Sequence, residues 1–379
     1  MIFYQLFSFS LLLLVLNVGM VFNVGFANPI EKSFLLLSAL VLIFRRHFDH
    51  RIIAILFVIL MITLFSAILS DYSDFSWIIY GKALFQIITI FIFLSARLTE
   101  AEIRFVLKVV TWLPTFSILI GMFYWVAFGR SIFSYEFASG LPRLQGSLIP
   151  AYLGAYCIAG CYSSLRYADT YDIRYLWLVF INTVILILTG GRMALFIGAL
   201  LCFPVFWGGF KNYMNLKRLI IIAAAIFLIL FLILLGDIII GRIFQTHLSG
   251  REIIWDYLND VLAKHWWFGV GYGHQATILP DEVRILVGGT ISAHNEYLRV
   301  AVEIGYIQTI VFYSLLLLAL ILKARLTECT KPFEIIWSSI LFLLICITEN
   351  AISSVSGFLF LIVVVMTRME PMRTSMRQP

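Results

Sequence analysis

Three side chains in this sequence have the chemistry to handle an anionic substrate and move a proton. Arg192 follows the turn Thr189-Gly190-Gly191 and leads straight into the apolar run from Met193 to Leu201. An arginine at such a boundary is costly to keep and is a functional candidate by default. Arg251 stands in Ser249-Gly250-Arg251-Glu252, where its planar guanidinium can fork onto phosphate oxygens as a lysine could not. His294 lies in Ser292-Ala293-His294-Asn295-Glu296-Tyr297-Leu298. With Ser292 as the expected N-cap, His294 falls in the first turn of a helix. There the helix dipole disfavours an imidazolium, so a neutral ring able to accept a proton is expected, and the exposed N–H groups favour an anion. Each residue also has a plainer reading: a snorkelling arginine marking a hairpin, a helix-end arginine on lipid headgroups, a solvated loop histidine. Glu296, Arg299 and Glu303, at helical spacing, read as local ion pairs.

Other chemistry finds little support. His247, His265, His274 and His294 show no H-x-x-x-H or Asp-x-Asp spacing, so no metal site is expected. The sequence has no Walker loop, no dinucleotide fingerprint and no G-x-S-x-G. No cofactor and no nucleic-acid partner is called for.

The elements that must carry these residues follow from composition. Of 379 residues, 62% are hydrophobic and 13% charged, against roughly 25% charged in soluble domains. Lipid can cover that much apolar surface, and in lipid only helices or closed barrels satisfy the backbone. The apolar runs are continuous and mostly near the roughly 20 residues a bilayer needs, which selects helices. The expected fold is all-α, a polytopic transmembrane helix bundle with about 12 spans. These lie near 4–22, 30–45, 52–70, 78–96, 105–128, 149–165, 175–189, 193–210, 219–240, 306–323, 333–349 and 351–368. Residues 1–379 form a single multi-pass domain. The first run lacks a basic start and reads as a retained helix rather than a cleaved signal. The cysteines fall in spans or a cytoplasmic loop, so no external disulfide framework is expected.

Charge sets the orientation. With a cytoplasmic N-terminus, inside connections collect Arg45, Arg46 and Arg51; Arg97, Arg104 and Lys108; Arg166 and Arg174; Lys211, Lys217 and Arg218; Lys323, Arg325 and Lys331; and Arg368, Arg373 and Arg377. Short outside connections hold only Lys32, Arg130, Arg143 and Arg192, with Lys82 inside the fourth span. This obeys the positive-inside rule and puts both termini in the cytoplasm. A single helix over 175–210 would be about 54 Å long, so it must be a hairpin turning at 189–191. The same logic turns 333–368 at Glu349-Asn350. The long loop 241–305 is then external. In it Ile254, Leu258, Val261 and Leu262 read as an amphipathic surface helix, with Trp266, Trp267 and Phe268 as anchors. Gly269, Gly271 and Gly273 read as a flexible turn.

Taken together, these motifs resemble the O-antigen ligase/polymerase family. The resemblance rests on Thr189-Gly190-Gly191-Arg192-Met193-Ala194-Leu195, on Ser249-Gly250-Arg251 through Trp255 to Gly273, and above all on His294-Asn295-Glu296-Tyr297-Leu298 continuing to Gly305. Leu141-Pro142-Arg143-Leu144-Gln145-Gly146 before Pro150 is similar to the family's earlier outer loop. Gly-Gly-Arg departs from the Ser-Arg that the family more often shows, although the arginine is kept. The resemblance implies a metal-independent glycosyltransferase on the periplasmic face of a bacterial inner membrane. Its donor would be a glycan on undecaprenyl diphosphate and its acceptor a sugar hydroxyl, on lipid A–core for a ligase or on a growing repeat for a polymerase. Arg192 and Arg251 would clamp the diphosphate, and His294 would act as general base or orient the acceptor, with Arg143 and Asn295 as secondary binding candidates. A different class, a secondary transporter or lipid-linked sugar flippase, would need midplane charge and repeats. Lys82 is the main candidate for such a charge, and no repeat is present.

Overall fold

The computed structural model describes residues 2–21, 27–44, 48–135, 140, 142–208, 251–287, 292–325 and 332–367. The helices are α1 (Ile2–Leu16), α2 (Val18–Val21), α3 (Ala27–Phe44), α4 (His50–Leu69), α5 (Trp77–Ser95), α6 (Glu100–Phe128), α7 (Pro150–Thr170), α8 (Leu176–Leu188) and α9 (Arg192–Gly208). After residues outside the description come α10 (Arg251–Lys264), α11 (Asp281–Leu286), α12 (Glu296–Ile304), α13 (Tyr306–Arg325), α14 (Pro332–Ile345) and α15 (Val355–Thr367). Among the described residues the fold is all-α apart from one short hairpin. Four of the described helices, α4, α5, α6 and α13, are long and apolar enough to cross a bilayer, and α1, α9, α14 and α15 are shorter apolar helices. The expected span 219–240 lies outside the described residues, as do Ser249, Gly250 and His247.

Exposure sorts the helices into two kinds. On α4 the residues Phe57, Met61, Phe65 and Ile68 are exposed while Ile52, Ile55, Leu56 and Ile59 are buried. Both faces are apolar, so the outer one suits hydrocarbon rather than water. By contrast α15 is buried along its whole length, and α7 along most of it. These two are the interior: α7 packs on α6, α8, α9 and α15, and α15 also on α5 and α14.

Local sequence explains where helices begin and bend. Thr99 and Glu102 form a reciprocal capping box at the start of α6. Pro114 interrupts the same helix and frees a backbone acceptor. Buried Asn182 from α8 donates through Nδ2 to the Thr111 carbonyl at 3.0 Å, close to the break. At the other end, Gly129 closes α6 in the left-handed conformation, φ 69°.

Three features differ from the sequence reading. Phe133–Tyr135 and Pro142–Leu144 pair as an antiparallel hairpin, with Ser134 opposite Arg143. The last apolar run begins as helix only at Val355, so 346–354 is irregular. Ala351 and Ile352 in it are buried, and Gln86 of α5 donates to the Ser353 carbonyl. Unwound backbone at depth is tolerated where protein groups satisfy it. Lys82 is exposed rather than a buried midplane charge. The fully buried lysine is Lys323, whose Nζ donates to the Ala96 carbonyl at 2.9 Å at the end of α5, where the helix dipole favours a cation.

The loop before α7 rests on α6 with no room between them. Ser147 N donates to the Ser117 carbonyl at 3.0 Å, and a Cβ at Gly121 would meet the Gly146 carbonyl carbon at 2.4 Å. Backbone lies on both sides, so neither can yield cheaply. Gly121→Ala is expected to destabilise the fold by about 1–3 kcal/mol, seen as a lower Tm in detergent, with Gly81→Ala, which meets nothing within 4 Å, as the mild control.

Candidate active site

The irregular segment 346–354 is where the candidate residues meet. His294 Nδ1 lies 3.3 Å from Glu349 Oε2, with both side chains partly exposed, at 25% and 34%. Arg251, the first residue of α10, donates from Nη1 to the Thr348 carbonyl at 3.4 Å. From the interior helix α7, Tyr152 reaches Ser354 and feels the Glu349 carboxylate. Ser292 and Asn350 are joined at 2.7 Å, and Glu296 N donates to the Cys346 carbonyl at 2.8 Å.

His294 does not sit in the first turn of a helix. The N-cap of α12 is Asn295, whose side chain accepts from Leu298 N at 3.1 Å. Ser292 accepts from Asn350 instead, three residues before the cap. His294 therefore precedes the helix, at φ 47°. A non-glycine residue in that region is uncommon, and histidine is among those that tolerate it. The dipole argument for a neutral imidazole consequently carries less weight than the carboxylate beside it.

Behind these residues is a buried ion cluster. Arg299 Nε donates to Glu296 Oε1 at 3.0 Å, Nη1 donates to Glu303 Oε2, and the guanidinium lies over the Tyr272 ring at 5.3 Å. Burial alone would pull Arg299 down, but Glu296 and Glu303 outweigh it and hold it well above its usual range. Burial raises the Glu296 carboxyl despite the opposing pull of Arg299, and burial also raises the Tyr272 phenol.

The glycine turn is pinned by the same helix. Val270 N donates to the Val302 carbonyl at 2.9 Å and Gly271 N to the Glu303 carbonyl at 2.8 Å. Gly269 has φ 66°, and a Cβ there would lie 2.4 Å from the Glu303 carbonyl carbon. The flexible turn expected at 269–273 is thus a fixed clasp that requires close backbone approach. His274 belongs to this clasp: its Nε2 accepts from Ser76 N at 2.8 Å, and its ring stacks on Phe75. His265 pairs with Asp71 at 2.6 Å and lowers that carboxyl's pKa. Among the described residues no three histidine, cysteine or acidic side chains are grouped to hold a metal.

Arg192 and Arg143 form a second group at the same end of the bundle. Arg192 opens α9, is exposed, and makes no hydrogen bond or ion pair among the described residues. Arg143, on the hairpin, donates from Nε to the Thr189 carbonyl at 2.8 Å, bracing the turn that precedes Arg192. The first turn of α7 lies between the groups. A Cβ on Gly154 would contact Ala194 and Thr189. No direct contact joins Arg192 to Arg251 or His294.

This arrangement collects two open guanidinium groups, an imidazole and a carboxylate at one end of an apolar bundle. Residues 177–313 match the O-antigen ligase family. The matched stretch contains Arg192, Arg251, His294 and Asn295, and the ion cluster with them. Arg143, Tyr152 and Glu349 lie outside it. A search of curated proteins gave no match. The match covers 137 of 379 residues, so it is a likeness of that stretch to the O-antigen ligase family. The four long apolar helices mark a multi-pass membrane protein.

Sequence reasoning missed Glu349, Tyr152 and Asn350. Glu349 was legible only as a turn residue, because nothing in its neighbourhood announces a partner 55 positions earlier. The ion cluster was legible from spacing, but its burial was not. Arg299→Met would strand two buried carboxylates, and removing one partner of a buried charge pair typically costs about 3–5 kcal/mol. The expected outcome is loss of folded protein by size-exclusion chromatography in detergent, with Arg299→Lys retaining part of it.

Proposed function

We propose that this protein transfers a glycan from undecaprenyl diphosphate to a sugar hydroxyl at the periplasmic face of the inner membrane, in a bundle of about 12 spans. The carrying observation is the convergence of Arg251 and His294 on Thr348-Glu349, at the same end of the bundle as Arg192. The charge asymmetry of the connections supports placing that end outside the cytoplasm. A lipid-borne donor explains why the candidates sit where the helices end.

The chemistry follows from the leaving group. A diphosphate departing from an anomeric carbon carries its own negative charge, so it needs positive charge nearby rather than a proton. Arg192 offers a guanidinium with no partner among the described residues, at a helix N-terminus that itself favours anions. Arg251 keeps further N–H donors beyond the one given to Thr348. His294 takes the acceptor hydroxyl proton as attack proceeds. Arg143 acts at one remove, by bracing the 189–191 turn. Asn295 contributes mainly by capping α12 directly beside His294. Membrane lipids complete the surroundings, and the chemistry calls for neither metal nor cofactor.

Purified protein in liposomes, given an undecaprenyl-diphosphate-linked glycan and either a lipid A–core or a second lipid-linked repeat, is expected to transfer without nucleotide or ion gradient. The accepted substrate distinguishes ligase from polymerase. His294→Ala is expected to lower the rate by about 10²–10⁴-fold, and Arg192→Ala or Arg251→Ala by about 10²–10³-fold. Wild-type transfer by folded His294→Ala would remove the general-base role.

A further inference from the structure

We infer that Glu349 is a positioning residue that fixes which nitrogen of His294 receives the acceptor proton; this rests on the transferase reading above. Glu349 lies outside the family-matched residues, and its case comes from geometry. The backbone around His294 is held on every side. Trp255 Nε1 donates to the Ala293 carbonyl at 2.7 Å, Asn350 reaches Ser292, and Glu296 N reaches the Cys346 carbonyl. Those contacts keep a left-handed histidine in place, and such backbone strain persists only where surroundings over-determine it.

The held ring then presents Nδ1 to Glu349 Oε2 at 3.3 Å. An ionised carboxylate has only acceptor oxygens, so the contact requires a proton on Nδ1. Nε2 is left with its lone pair, facing away from Glu349. Other charged or titratable groups around the pair are few. Arg251 comes from α10, bonded to the neighbouring Thr348 carbonyl, and Tyr152 comes from α7. Glu296 of α12 is turned into the Arg299 cluster. Glu349 is therefore the anion that faces the imidazole.

In the step, the acceptor O–H proton passes to Nε2 while its oxygen bonds to the anomeric carbon. The carbon–oxygen bond to the diphosphate breaks, and its electron pair leaves with the phosphate oxygen. The imidazolium so formed has Glu349 against its other nitrogen. An adjacent anion stabilises the positive charge that develops on the ring as the proton is taken up.

The test compares wild type, His294→Ala, Glu349→Gln and Glu349→Asp in the liposome assay, across pH, with folded protein quantified for each. Glu349→Gln is expected to lower kcat on the order of 10–100-fold with little change in acceptor KM. It should also change the pH dependence of the rate on its acid limb, because a neutral amide replaces the carboxylate facing the imidazole. Glu349→Asp should restore much of the rate. Histidine-selective nitrogen NMR gives a second readout that needs no turnover: the Nδ1–H tautomer of His294 in wild type, and a tautomer mixture in Glu349→Gln. If His294→Ala is inactive but Glu349→Gln keeps the wild-type rate, acid limb and tautomer, this inference fails and the transferase reading stands. Equal losses in Glu349→Gln and Glu349→Asp with an unmoved acid limb indicate a structural role and also overturn it. Full transfer by folded His294→Ala would remove the general-base role and this inference with it, whereas no transfer by wild type would overturn the transferase reading.

Discussion

A guanidinium buried between two carboxylates holds the active end of this molecule together. Arg299 is almost fully enclosed, with Glu296 and Glu303 on either side and the Tyr272 ring against it. Three charges removed from water are stable only when they pair closely. Here the outer contacts also fix neighbouring chain: Glu303 accepts from Gln275 N at 3.1 Å, and the Glu303 carbonyl receives Gly271 N. The cluster thereby joins α12 to the glycine clasp. Since His294 and Asn295 immediately precede Glu296, the same cluster determines where the imidazole emerges.

A second constraint is the apolar surface of the helices. Helices such as α4 are hydrophobic on both faces, and any polar group along them must find a partner inside the protein. Buried Asn182 and Gln86 donate to backbone near a proline and in an unwound segment. The remaining reactive groups gather at helix ends. The 189–191 turn, the hairpin, the start of α10 and the 346–354 segment all lie at one end, joined by Arg143 to Thr189, Tyr152 to Ser354 and Arg251 to Thr348. Lys323, Arg104 and Tyr167 are held at the opposite end. One end of the bundle is thus built around fixed backbone while the other carries the basic connections.

Much of this was legible in the sequence because hydrophobicity and charge are local properties. Helix limits at α4, α5 and α13 agree with the apolar runs within a few residues, and the turn at 189–191 lies where length and charge required it. Spacing also gave the ion pairs of α12. What failed depended on distant partners. Ser292 and Asn295 are both good caps by type; Ser292 accepts from Asn350, and Asn295 is the cap. The glycines at 269–273 read as flexible because the sequence does not reveal the backbone of α12 pressed against them. The hairpin at 133–144 was missed because its strands are three residues each, too short for alternation to register.

The two arginines of the proposed site are held differently, and that difference fits the leaving group of the proposed reaction. Arg251 is tied to a backbone carbonyl on the same segment as Glu349. Preorganised charge of that kind acts where negative charge develops in the transition state. Arg192 is exposed on a turn that Arg143 braces from behind, without a side-chain partner of its own among the described residues. A diphosphate on a long lipid must arrive through the membrane boundary before it reaches a fixed site. An open guanidinium at a helix start can meet it there, since the helix end adds N–H donors that favour the same anion.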